Sequence, residues 1–426
     1  SHEERGHDMT YRRRAIDGII DDIFPSLPAL LLDGPKAVGK TTSALQRAKT
    51  VRNLDVEGTR LRASVDPEWV VKGDKPILID EWHRVADTWS AVKRAVDADH
   101  SGGQFILTGS MPDSSTHSGA GRITAIRMRP LSFAERAVSA TTVSFGTLLR
   151  GGAEISGETT LGFSDYSDEL MRSGFPALRN LEGNALSAAL DGYIERIVDA
   201  DIKELGVTIR KPAVFRSWMT SYAAATGTVA SWEKIRDAAN PGSAEVPAKT
   251  TVMPYRDALT RLRILDELPP WLPSKNQFRR AATASKHYLA DPALALRLMN
   301  FSAESIQTAD TYGAHSFNRP LVGRMFESLA VLSVRTYAEA YFAKTMHFRD
   351  AAGTREIDII VERQDGKILA LEVKLGQTVT DSDLTHLKWL RSQLGDDLID
   401  CVVLYSGSFA YRKDGIAFLP LALLGL

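Results

Sequence analysis

Eight residues constrain this chain more than any other part of it: Gly34-Pro35-Lys36-Ala37-Val38-Gly39-Lys40-Thr41. They spell GxxxxGK[ST]. The apolar run PALLLD (28–33) precedes them, and a segment that reads as a helix opens near Lys40. A strand, a glycine turn and a helix in that order leave the chain little freedom. The glycines let backbone N–H groups turn inward around an anion, and the helix N-terminus favours negative charge there. The pattern therefore points to a phosphate-binding loop. Lys40 is expected to reach the β- and γ-phosphates, and the Thr41 hydroxyl to ligate Mg²⁺. The whole stretch from Gly34 through Thr42 is expected to line bound ATP.

Two further apolar runs support this. PILIDE (76–81) reads as a buried strand ending in two acids. Asp80 at its tip would hold Mg²⁺ through water. Glu81 would orient or deprotonate the attacking water, which makes the expected activity ATP hydrolysis and not passive binding. QFILTG (104–109) reads as a third strand, and Thr108 and Ser110 at its end are candidates to contact the γ-phosphate or the lytic water. Strands separated by helical spacers predict an α/β fold with a parallel sheet.

The segments GPKAVGKTT, ILIDEWHRV, FILTGS, GAGR, RPLSFAE, SGFPALRN and KHYLADPALA occur in that order from about Tyr11 to the C-terminus. Together they resemble the prokaryotic AAA-type ATPases that carry a C-terminal domain of unknown function. The resemblance implies an AAA-type ATPase core over 10–135 and a helical lid over 136–208. It implies a winged-helix-like segment over 209–300 and a restriction-nuclease-like domain over 301–426. Arg122 is the position it favours for an arginine that stabilises charge on the γ-phosphate, supplied in cis or to a neighbouring subunit, with Arg127 and Arg129 as competitors. The polar loop 112–118 departs from the family pattern.

Residues 209–290 hold thirteen Lys or Arg against six Asp or Glu, a local excess of seven positive charges in a chain of net charge −1. Within them, TTVMPYRDALTRLRIL predicts a helix with Thr251 as cap and Pro254 in its first turn. Tyr255, Leu259 and Leu262 would share one face, and Arg256 and Arg263 another. A basic helix followed by a Lys/Arg-bearing turn resembles a winged helix, a module that contacts DNA or RNA through its helix and wing, or serves as a protein-binding surface.

The third constellation lies near the C-terminus. EIDII (356–360) and ILALEVK (368–374) read as two strands of a hairpin. Glu372 and Lys374, two apart, face one side, and the hairpin would bring Asp358 beside them. Glu327 on the preceding predicted helix could complete the set. This is similar to the PD-(D/E)xK nuclease core, in which two carboxylates, here Asp358 and Glu372, hold Mg²⁺ and a lysine, here Lys374, positions a water. Two outcomes stand open: an ATP-gated Mg²⁺-dependent nuclease, or a regulator of DNA or protein whose nuclease-like domain is inert. His386, on the next predicted helix, reads as a solvated residue.

Composition excludes several other classes. Of the 426 residues, 44% are hydrophobic, ample for packed cores, yet no run of about 18 apolar residues suggests a membrane span. The N-terminal residues lack the apolar stretch of a signal peptide. The single cysteine, Cys401, rules out an intrachain disulfide or a cysteine metal cluster. Its apolar setting predicts a buried thiol. A cytoplasmic, nucleotide-binding protein is expected, with a nucleic acid, a protein or a second copy of itself as partner.

Overall fold

The structure, a computed structural model, describes residues 11–110, 121–239, 246–273, 282–307 and 319–426. They fall into two compact units. The first runs to Gly34 and from Gly39 to Met128; the second comprises Pro35–Val38 and everything from Arg129 onward.

The first unit is a five-stranded parallel sheet built from β1 (Ala29–Asp33), β2 (Thr50–Asn53), β3 (Ile77–Asp80), β4 (Phe105–Gly109) and β5 (Thr124–Arg127), in the order β2-β3-β4-β1-β5. Helices α1 (Ala15–Ile23), α2 (Lys40–Leu45), α3 (Glu57–Val65) and α4 (Asp87–Ala98) accompany it. β1, β3 and β4 are the three apolar runs of the sequence, and every residue in them is buried. A parallel strand covered on both faces has no polar side to show, hence the uninterrupted apolar pattern. β2 and β5 are edge strands with polar, partly exposed residues, so no such run marks them. Leu31, Ile77, Ile79, Phe105 and Leu107 pack with Trp82 and Trp89 as one core. Asp33 pairs in register with Gly109, and Asn53 with Asp80, so the strands' carboxyl ends share one edge of the sheet.

The second unit begins with β6 (Val143–Ser144) and helices α5 (Phe145–Arg150), α6 (Phe163–Arg172), α7 (Gly183–Arg196) and α8 (Ile202–Glu204). A π-helical turn at Ile197–Asp201 joins the last two helices. Next come α9 (Pro212–Ala224), α10 (Trp232–Ala238) and α11 (Lys249–Arg261). Two antiparallel bridges, Leu265 with Leu289 and Leu268 with Lys286, follow them. Tyr255, Leu259 and Leu262 are buried, as the helical spacing predicts. The helix itself differs from expectation. It opens at Lys249 behind Ala248, not at Thr251, so Pro254 lies inside it. Proline there removes one helical N–H; the carbonyl it would have met belongs to exposed Thr250, which water can serve. The helix ends before Arg263, which takes a left-handed φ of 61° and so does not share a helical face with Arg256.

The rest of the chain adds α12 (Pro292–Leu298), α13 (Ala303–Gln307) and the 22-residue α14 (Arg319–Ala340). The remaining strands are β7 (Lys344–Arg349), β8 (Glu356–Glu362), β9 (Ile368–Lys374), β10 (Leu398–Tyr405), β11 (Tyr411–Lys413), β12 (Ile416–Pro420) and β13 (Leu424–Gly425), with α15 (Thr385–Leu394) before β10. Six of them form a mixed sheet in the order β11-β12-β10-β9-β8-β7, and β13 pairs with β6. β7 is an edge strand, and its register shifts between Met346 and Phe348. The bulge turns the backbone of His347 outward, where Trp271 N–H bonds its carbonyl and Pro269 accepts from its N–H. Cys401 is buried at 2% exposure, and burial pushes its thiol up to about 12, so it is inert packing. No helix among the described residues is long and apolar enough to cross a membrane.

Candidate functional site

The end of β1 leads into a turn whose backbone enters the left-handed region twice. Ala37 has φ 65° and Gly39 φ 101°, both left-handed. Gly39 then caps α2. Lys40 at the helix start is buried, and its ammonium donates to Gly34 O at 2.6 Å. One residue on, Thr41 Oγ1 donates to Asp80 Oδ1 at 2.6 Å. Thr108 Oγ1 donates to the same carboxylate oxygen at 2.6 Å, and its hydroxyl oxygen accepts Glu81 N–H at 3.1 Å. Two strand ends, those of β3 and β4, and one helix start thus meet at Asp80.

Glu81, directly after β3, takes φ 56°, an uncommon state for a non-glycine residue that costs about 1–2 kcal/mol. Its carboxylate lies 3.4 Å from His83 Nε2. His83 carries no motif of its own in the sequence, although it follows Asp80-Glu81-Trp82 directly. Gly109 explains why β4 ends as it does. Its φ is 134°, and a Cβ there would come within 2.8 Å of His83 Nδ1 and 3.2 Å of Trp82. Trp82 in turn donates its indole N–H to Ser110 O, so Ser110 holds this turn with its backbone. Thr42 is exposed on α2 and accepts from Gln46 through its carbonyl.

These residues fit a nucleotide with Mg²⁺. The turn offers backbone donors and an ammonium for phosphate, and Thr41 and Asp80 are the oxygen ligands that a hard cation prefers. Pro35 and Val38 are buried, and Lys36 packs in the second unit. There its ammonium meets Asp201 at 2.6 Å and Glu204 at 3.2 Å, and Tyr193 donates to its carbonyl. Of the three arginine candidates, Arg122 pairs at the surface with Asp97 at 2.6 Å. Arg127 lies on β5 opposite Asp33. Arg129 is buried between Asp266 and Glu339; burial opposes its charge, but the two carboxylates outweigh that and hold it firmly protonated.

In the second unit, the basic surface differs from the sequence count. Arg256 lies over the Trp232 ring at 3.7 Å. Lys286 is buried outright, at 2% exposure. Arg210, Lys211, Lys234 and Lys249 are exposed. Lys275, Arg279, Arg280 and the polar loop 112–118 lie outside the described residues.

At the C-terminal sheet, the hairpin of β8 and β9 pairs from Ile359 with Leu371 onward. Just beyond that point Asp358 and Glu372 face each other, and Asp358 Oδ2 accepts Val373 N–H at 2.9 Å. Glu327 on α14 joins them through Lys286, whose ammonium meets Glu327 and Asp358. Lys374 does not share in this. Its long arm leaves the sheet and meets Asp383 at 2.8 Å. Burial, with Asp358 beside it, pushes Glu327 up to about 7 and Glu372 well above the carboxylate range. Asp358 stays low despite burial because Lys286 faces it. Among the described residues no group of three or more His, Cys, Asp or Glu is arranged to hold a metal ion.

Comparison with known proteins agrees with the first part of this picture. Residues 26–137 match the AAA domain family, 163–305 match a domain of unknown function (DUF8612), and 322–424 match another (DUF4143). Uncharacterised proteins of Mycobacterium tuberculosis and Mycobacterium bovis are each 27% identical over 410 residues, covering 92% of this chain and 80% of theirs. Among solved structures, a Walker-type ATPase of Pyrococcus abyssi aligns with TM-score 0.37 and 14% identity, over 70% of this chain and 98% of that one. The RuvB Holliday junction branch migration motor of Thermotoga maritima aligns with TM-score 0.23 and 16% identity, over 57% and 83%. Both structural likenesses are distant. The phosphate loop, the strand-end carboxylates and the family match agree in making residues 26–137 similar to the P-loop ATPase domains of the AAA type.

Proposed function

We propose that the chain binds Mg²⁺-ATP along Gly34–Thr42, hydrolyses it, and uses the turnover to switch how residues 209–290 engage nucleic acid. The observation that carries the nucleotide reading is the meeting of the Thr41 and Thr108 hydroxyls on one oxygen of Asp80. When bound, Mg²⁺ would neutralise phosphate charge, held by Thr41 directly and by Asp80 through water. Lys40 exchanges Gly34 O for phosphate oxygens. Glu81, set by its left-handed backbone and steadied by His83, orients the attacking water and accepts its proton. Thr108 links the β4 end to Asp80 and the Glu81 backbone, so a change at the phosphate is felt in both acids. Ser110 follows it at the strand end. Arg122, at the surface beside Asp97, is proposed to serve a neighbouring copy in a homo-oligomer.

Glu81→Gln should still bind ATP, with kcat lowered about 10²-fold or more, the usual cost of losing a general base. Unchanged turnover by Glu81→Gln in a phosphate-release assay would remove Glu81 from the reaction.

The nucleic-acid part is supported by the exposed Arg210, Lys211, Lys234 and Lys249 around α9, α10 and α11. If no DNA or RNA binds even at low salt, the segment is a protein-docking module. A nuclease step is left out of the proposal, because the carboxylates that would carry it surround Lys286. That contact favours the reading in which the C-terminal domain is nuclease-like in fold and inert in chemistry.

A further inference from the structure

The phosphate loop carries two lysines, and they take different partners. Lys40 donates to Gly34 O, within the loop. Lys36 meets two acids far along the chain: its Nζ lies 2.6 Å from Asp201 Oδ1 and 3.2 Å from Glu204 Oε2. Asp201 closes the π-helical turn Ile197–Asp201, its side chain 7% exposed, and Glu204 ends α8. The backbone of Lys36 is held too, since Tyr193 on α7 donates its hydroxyl to Lys36 O at 2.9 Å. The next residue is Ala37 with its left-handed φ of 65°, and Val38 after it is fully buried.

The elements that hold Lys36 are themselves firmly seated. The Tyr193 ring packs on Phe175 with centroids 4.6 Å apart. Asp191, also on α7, accepts from Arg297 of α12 at 2.7 and 2.9 Å. Single π-helical turns recur at functional sites, and this one ends on the acid that meets the loop.

A left-handed alanine persists only where its surroundings over-determine it. Here the Tyr193 hydroxyl and the two carboxylates fix the residue directly before it. An ammonium already between two carboxylates has little to gain from a phosphate. We propose that Tyr193, Asp201 and Glu204 are positioning residues: through Lys36 they hold the phosphate loop in its binding shape, and the Lys36 side chain braces the loop without touching phosphate. The loop then meets ATP preformed, and residues far outside the motif set its affinity. This rests on the nucleotide reading above and adds to it the side chains on which that binding depends.

The test is Mg²⁺-ATP calorimetry together with phosphate release, on the full chain. Tyr193→Phe keeps the ring on Phe175 and removes only the hydroxyl. It should weaken ATP about 5–30-fold, equivalent to about 1–2 kcal/mol of strain at about 1.4 kcal/mol per tenfold. Its kcat at saturating ATP should fall less than about threefold, because a loop formed less often lowers binding and leaves the bound state as it was. Lys36→Met and Asp201→Asn should each weaken binding, and the double variant no more than the worse single, because one contact is lost once. If Lys36 touched phosphate, Lys36→Met would weaken binding while Asp201→Asn tightened it, and that result would overturn the proposal. Variants that only melt lower, with wild-type ATP affinity, would overturn the brace alone. Wild type that binds no ATP would refute the nucleotide reading and this proposal together.

Discussion

At the scale of single residues, the chain separates side chains whose role is local from those whose role depends on distant partners. Asp80 is legible in the sequence because an apolar strand ending in an acid, after a phosphate loop, has few other uses. Thr108 and Ser110 are equal candidates by sequence and part company in the structure. The Thr108 hydroxyl donates to Asp80 and accepts from Glu81 N–H, whereas Ser110 contributes its carbonyl to Trp82. Thr108→Val should therefore destabilise the first unit by about 1–3 kcal/mol, the cost of leaving buried polar partners unmet, and lower kcat more than it raises KM. Equal activity in the two proteins would remove Thr108 from the site. His347 gives a pH signature. It is fully buried, its Nε2 faces Ala284 O at 2.9 Å, and burial, aided by Lys286, lowers it to about 4. The folded chain thus binds fewer protons than the unfolded one between about pH 4 and 6.5. Stability from this group is complete above pH 6.5 and lost as pH falls towards 4, by at most about 3 kcal/mol. His347→Gln should flatten that acid branch in urea unfolding. A parallel slope in the variant would show that other groups set it.

At the scale of elements, period and composition locate what is apolar and miss what is short. β1, β3 and β4 stand out as continuous apolar runs. β2 and β5 do not, because at a sheet edge four partly exposed residues carry no pattern. α11 is legible through its buried face but not through its ends, since Pro254 is a first-turn signal that this helix overrides. Its buried face should be costly to truncate. Leu259 is fully buried, so Leu259→Ala should lower stability by about 2–5 kcal/mol. A change below about 1 kcal/mol would mean that α11 docks loosely. Lys374 shows the limit of two-residue spacing. The strand puts it on the Glu372 side, but the long side chain then finds Asp383. Lys286 shows the opposite limit. It lies 72 residues before Asp358, and no local pattern distinguishes it from a surface lysine.

For the molecule as a whole, net charge is a poor guide and local charge a better one once burial is known. Lys286 is withdrawn from the surface, and Arg256 is engaged by Trp232, so the proposed nucleic-acid contact would rest on Arg210, Lys211, Lys234 and Lys249. Replacing Lys211 and Lys249 with Glu should weaken binding uniformly across sequences. It should also flatten the salt dependence by about 0.9 for each phosphate no longer neutralised. Arg256→Ala should act chiefly through packing on Trp232. A salt slope unchanged in the Lys211/Lys249 variant would move the interface elsewhere. Central to the proposed function is that Lys40 holds Mg²⁺-ATP. Calorimetric titration of Mg²⁺-ATP into wild type and Lys40→Ala tests it most directly. Wild type should bind saturably at one site per chain and Lys40→Ala not at all; equal affinity in the two proteins would overturn the nucleotide site.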